Sequence, residues 1–160
     1  IGTGLVGSEM CIRDRNDTAE FEISENLTSK ITQEIAIQNI LKITDDSNSD
    51  STILGVITSA TDGPFTFDSN EQVDEYRFSI SLKILWVDNE NEKNLIEKTF
   101  TGFGNYSINN DPSSDGIDND NDGILDENDD DEFGDSRELA INIAINKIAS
   151  DVVNSILSTW

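Results

Sequence analysis

Residues 76–86 read Tyr-Arg-Phe-Ser-Ile-Ser-Leu-Lys-Ile-Leu-Trp, and they limit the folds open to this chain more than any other stretch. Tyr76, Phe78, Ile80, Leu82, Ile84 and Trp86 are large and apolar, while Arg77, Ser79, Ser81 and Lys83 between them are polar. A period of two, rich in β-branched and aromatic side chains, specifies a strand with one buried face and one wetter face. Burying that apolar row is worth on the order of 10 kcal/mol as an upper bound. A strand cannot bury a face alone, so a second layer has to be laid over it. The amphipathic segment at the end of the chain is the natural cover.

At 160 residues the chain suffices for one domain with a substantial core. Its formal charge of −23 is unevenly spread: residues 107–135 hold twelve acids and no base, leaving 21 acids against 10 bases elsewhere. With no basic stripe to neutralise phosphates, nucleic acid is not an expected partner. The sequence has no His and a single Cys, which removes Ser-His-Asp and Cys-His chemistry, zinc sites and disulfides together. No apolar run approaches the length of a membrane span.

Residues 1–15, IGTGLVGSEMCIRDR, contain three glycines and no clean period. Residues 10–15 resemble the translation of a transposase adaptor, so residues 1–15 are read as an artefactual, disordered N-terminus that replaces a signal peptide and a first strand. Cys11 is a poor candidate for lipidation, because Ser8-Glu9-Met10 lacks the Leu and small residues of a lipobox.

Beyond that segment, Ile23, Leu27, Ile31 and Ile35 recur four apart and predict an amphipathic helix over residues 21–39. Residues 40–44 predict a short strand. Residues 52–60 are apolar on both parities around Gly55, as in a central strand. Asp62-Gly63-Pro64 bends that strand, and Phe65-Thr66-Phe67 resumes it. A charged hairpin loop at residues 88–93 leads to a returning strand over 94–106, where Gly102 and Gly104 permit a bulge or close packing. Residues 107–135 form a low-complexity acidic insertion. Residues 136–160 predict the closing helix: Asp135 and Glu138 fit a capping box, and Ala140, Ala144, Ile148, Val152, Ile156 and Trp160 run four apart. Helix, strands, helix give an α+β class: one domain made of residues 16–106 and 136–160, interrupted by the insertion.

Four stretches of this chain resemble the LPS-assembly lipoproteins of the LptE family. They are Asn16-Asp17-Thr18 before the first helix; residues 50–57, Asp-Ser-Thr-Ile-Leu-Gly-Val-Ile; residues 73–77, Val-Asp-Glu-Tyr-Arg; and residues 100–106, Phe-Thr-Gly-Phe-Gly-Asn-Tyr, followed by the closing helix to Trp160. The resemblance implies two helices packed on one face of a roughly four-stranded, mainly antiparallel sheet. It also implies a lipid anchor at the periplasmic side of the outer membrane. The expected role is that of plug and partner of the LptD β-barrel in delivering lipopolysaccharide to the outer leaflet. The acidic insertion is a departure from the family pattern.

Within the insertion, Asp118, Asp120, Asp122, Asp126 and Asp129 fall at positions 1, 3, 5, 9 and 12 of a loop, with Gly123 at 6 and the Ile124 carbonyl at 7. That is calcium-loop spacing: alternate carboxylates turn inward and the glycine permits a sharp turn. It resembles thrombospondin type 3 and bacterial Asp-rich repeats more than an EF-hand. A solvated acidic loop is the alternative. The site would staple the insertion and would not be catalytic. Glu75 and Arg77 read as a charge pair on a sheet surface rather than a catalytic dyad, and the chain is read as a non-enzyme.

Lipopolysaccharide phosphates need a local basic spot on so acidic a protein. Arg77 and Lys83 share one face of the organising strand, and Lys98 on the next strand is expected to join them. The competing reading is a calcium-stabilised periplasmic or secreted structural or adhesion module, in which the insertion is the functional part.

Overall fold

A computed structural model describes residues 9–16, 21–39, 41–46, 48–107 and 136–159. The elements are β1 (Glu9–Asn16), α1 (Phe21–Gln38), β2 (Lys42–Ile43), β3 (Ser51–Phe67), β4 (Val73–Asp88), β5 (Lys93–Tyr106) and α2 (Ser136–Leu157). The strands form one sheet in the order β2-β1-β3-β4-β5. β3, β4 and β5 are antiparallel neighbours, whereas β1 runs parallel to both β2 and β3. The architecture is α+β as expected, with a sheet that is mixed and five-stranded rather than four-stranded and mainly antiparallel.

The difference comes from the start of the chain. Residues 9–15, excluded from the domain on sequence grounds, lie within the sheet between β2 and β3, paired residue for residue with β3 from Met10↔Ser51 to Asn16↔Ile57. The exclusion is corrected for these residues. Met10, Ile12 and Asp14 share the helix side of the strand, and Met10 is fully buried. A parallel partner needs a long crossover, and α1 supplies it between β1 and β3. Asp14 fixes the helix above the strand by accepting from Ser24 Oγ at 2.7 Å and Thr28 Oγ1 at 2.9 Å.

Both helices lie on one side. Ile23, Leu27, Ile31 and Ile35 of α1 and Ala144, Ile148, Val152 and Ile156 of α2 meet the inward row Phe78, Ile80, Leu82, Ile84 and Trp86 of β4. Every one of these is buried. α2 approaches β5 so closely that main chain meets main chain. A Cβ on Gly104 would land on the Ala140 carbonyl, and one on Gly102 would strike the Ala144 carbonyl and come within 2.8 Å of Ile148 Cγ1. Close packing, rather than a bulge, is what those glycines permit.

Candidate functional site: the uncovered sheet face

Alternation places the other row of every strand on the side that neither described helix covers. Pairing sets Arg13 beside Leu54, Arg15 beside Val56, Val56 beside Lys83, Leu54 beside Leu85, and Arg77 beside Asn105. Large apolar groups stay open there: Leu54 is 37% exposed, Phe65 42%, Phe103 48% and Phe67 61%. In a chain of formal charge −23, this face carries Arg13, Arg15, Arg77 and Lys83 against Glu75 and Glu97. Glu9, at the rim, is taken up by Lys42 at 2.6 Å. Among the described residues of this face, bases therefore outnumber acids.

At the distal end, Arg77 lies against two rings. Its guanidinium carbon lies 3.4 Å from the Phe65 centroid and 4.1 Å from that of Phe103. Its Nε donates to Asn105 Oδ1 at 2.8 Å. Two aromatic neighbours and one hydrogen bond hold the guanidinium in place. Lys83, six residues along the same strand, is about 20 Å away by strand rise. It pairs with Glu97 at 3.1 Å, both half-exposed, a contact of little energetic weight.

Lys98 does not join them. It pairs with Ile84, so it belongs to the helix-side parity and reaches over the Phe100 ring at 5.1 Å. The register across β4–β5 places Glu97, not Lys98, on the face of Lys83. Sequence reasoning missed the partners of Arg77. The alternation in Phe65-Thr66-Phe67 and the parity of Phe103 held the signal, but the bulges between Ile57 and Ser59 and near Thr66 displaced the phase.

Asp118, Asp120, Asp122, Ile124, Asp126 and Asp129, like the Asp135 cap, lie outside the described residues. Among the described residues no cluster of three or more His, Cys, Asp or Glu is arranged to hold a metal ion. The two stems of the insertion are close together. Ser136 Oγ donates to the Ser107 carbonyl at 3.1 Å, and Asp62 of β3 accepts from Tyr106 at 2.9 Å and from Arg137 Nε at 2.6 Å. Tyr76 stacks on Tyr106 with centroids 5.6 Å apart. Cys11 is 6% exposed within β1.

Between α1 and the sheet, beside Gly55, is a slot of about 20 Å³, room for a single water and far too little for an acyl chain. No described helix is long and apolar enough to cross a membrane.

The family model for LptE, described as lipopolysaccharide-assembly, matches residues 9–159. The fold is similar to that of rare lipoprotein B from Shewanella oneidensis, with a TM-score of 0.55 at 15% identity, covering 94% of this chain and 95% of that one. A minor lipoprotein from Acinetobacter baumannii is similar at TM-score 0.56 and 10% identity, covering 94% and 93%. An uncharacterized lipoprotein B from Nitrosomonas europaea is similar at 0.55 and 12%, covering 95% and 85%. No curated protein matches the sequence.

Proposed function

Since this chain belongs to the LptE family of lipopolysaccharide-assembly proteins, we propose that it works by binding rather than turnover, as an outer-membrane lipoprotein on the periplasmic side. Its partner is an LptD-like β-barrel, which it plugs while lipopolysaccharide passes to the outer leaflet. Attachment is through a lipid anchor.

The observation that carries the reading is the base-rich, aromatic-rimmed face on an otherwise acidic protein. A uniform negative field would repel phosphates, so the glycolipid is confined to where bases outnumber acids. Arg77, beside Phe65 and Phe103, presents a planar fork suited to a phosphate. The rings beside it, with Phe67 and Leu54, offer apolar area to acyl chains. Lys83 adds a second, partly neutralised charge. Lys98, on the opposite face, is no longer part of the proposed contact.

Arg77→Glu with Lys83→Glu is expected to weaken lipopolysaccharide binding by about tenfold or more, as two charge reversals at a phosphate contact should. Folding, followed by circular dichroism, should be unchanged. Full binding by the double variant would sink the assignment of this face. Co-purification with a large β-barrel after detergent extraction tests the partnership separately.

We further propose that Asp118, Asp120, Asp122, Ile124, Asp126 and Asp129 hold Ca2+, on the strength of their spacing. The ion would staple the insertion without taking part in any reaction. Calorimetry showing no calcium heat at millimolar ion would dismiss that site.

A further inference from the structure

Acids outnumber bases by 33 to 10 in this chain, so a base readily finds an acid to neutralise it. Among the described residues, Lys30, Lys42, Lys83, Arg137 and Lys147 each lie within ion-pair distance of a carboxylate. Arg77 has no described carboxylate at that distance. Glu75, the nearest acid along its own strand face, instead accepts from Thr66 Oγ1 at 3.4 Å. What surrounds the guanidinium is uncharged: the Phe65 and Phe103 rings at 3.4 and 4.1 Å, and Asn105 Oδ1 at 2.8 Å.

These neighbours reach Arg77 from both flanking strands. Asn105 is its register partner on β5, and Phe103 is the partner of Ser79, one step along the same face. Phe65 arrives by a different route. Pro64 pairs with Tyr76 and Thr66 with Glu75, so Phe65 is the extra residue of a bulge in β3. A bulge re-aims a side chain that strict alternation would place elsewhere, and here it brings a ring to Arg77.

We propose that Phe65, Phe103 and Asn105 are positioning residues, which hold Arg77 with its charge uncompensated for a phosphate of the bound glycolipid. The inference rests on the reading of this face given above and adds the residues through which Arg77 acts. Aromatic rings attract a cation without cancelling its charge, and by keeping water off it they strengthen its pairing with an anion. Asn105 takes up the Nε proton, and the terminal nitrogens carry the remaining donors. A lysine has neither the planar group nor the Nε–H, so charge alone would not reproduce the arrangement.

The test titrates lipopolysaccharide, intact or dephosphorylated with alkaline phosphatase, into the full chain. Phe65→Leu with Phe103→Leu keeps apolar area but removes the rings. It should weaken binding of the intact form about tenfold more than binding of the dephosphorylated form. Asn105→Ala and Arg77→Lys should each act with the same selectivity, and Phe65→Tyr with Phe103→Tyr, which restores both rings, should recover the loss. In proton–nitrogen NMR of the free chain, the Arg77 Nε–H should be shifted by the rings and slow to exchange with water. The shift should vanish in the leucine variant and the slow exchange in Asn105→Ala. Unweakened binding of the intact form by the leucine variant or by Arg77→Lys overturns the inference, even where Arg77→Glu with Lys83→Glu abolishes binding. An equal loss for both forms of the glycolipid also overturns it, since the rings would then serve acyl chains and not Arg77. Full binding by the double charge reversal sinks the face and this inference together.

Discussion

The hydroxyl of Ser51 lies fully buried at the start of β3 with no hydrogen-bond partner among the described residues. A buried polar group left unpaired keeps its desolvation cost, so removing it should help. Ser51→Ala is expected to raise stability by about 1 kcal/mol, seen as a higher urea midpoint with an unchanged slope. Carboxylates in the hairpin turns behave in the opposite way, because they are well satisfied. The amides of Gln72 and Asn70 hold Asp68 below its ordinary value of 3.8. The side chain and amide of Asn91 do the same for Asp88. Asp68 is exposed and Asp88 partly exposed. A depressed folded pKa means that the unfolded chain takes up the proton first. The contribution is therefore whole above 3.8 and is lost as pH falls through the lower folded values. Carboxyl-carbon NMR should show both aspartates titrating below the range of their exposed counterparts.

Among the elements, the strand at residues 76–86 and the two helices were legible because their burial repeats at one fixed period. Their predicted inward residues, from Ile23 to Ile35 and from Ala140 to Ile156, are the ones that form the core. β1 was not legible. Its eight residues carry a weak alternation, and only the parallel pairing to β3 makes that alternation meaningful. β3 reads on both parities because its outward side holds Leu54 and Val56. Its phase beyond Ile57 depends on a bulge that no local residue announces. The Gly102-x-Gly104 spacing was visible, but its meaning required the helix above it. Ala140 and Ala144, one turn apart on α2, are the counterparts of those glycines. Gly104→Val is expected to cost about 3 kcal/mol, since it forces helix and strand apart. Thermal unfolding should register that loss, and Gly63→Ala, with open space around it, serves as the benign control.

At the scale of the molecule, the chain is a two-layer plate with helices on one side and an open face on the other. The acidic stretch joins it where β5 ends and α2 begins. Composition exposed that stretch, but the anchoring of its stems was invisible in the sequence. Asp62 lies 44 residues before Tyr106 and 75 before Arg137. Asp62→Ala is expected to lower stability by about 1 kcal/mol, the scale of a partly exposed pair plus one hydrogen bond. It should also speed amide exchange at residues 105–107 before any other strand responds.

That anchoring has an evolutionary consequence. Once a single carboxylate ties both stems to β3, the cost of closing the excursion rises only with the logarithm of its length. Residues can be added to it, removed or exchanged without asking the core to repack. The junction is thus a permissive graft point, where a lineage can acquire an appendage while the plate beneath keeps its shape.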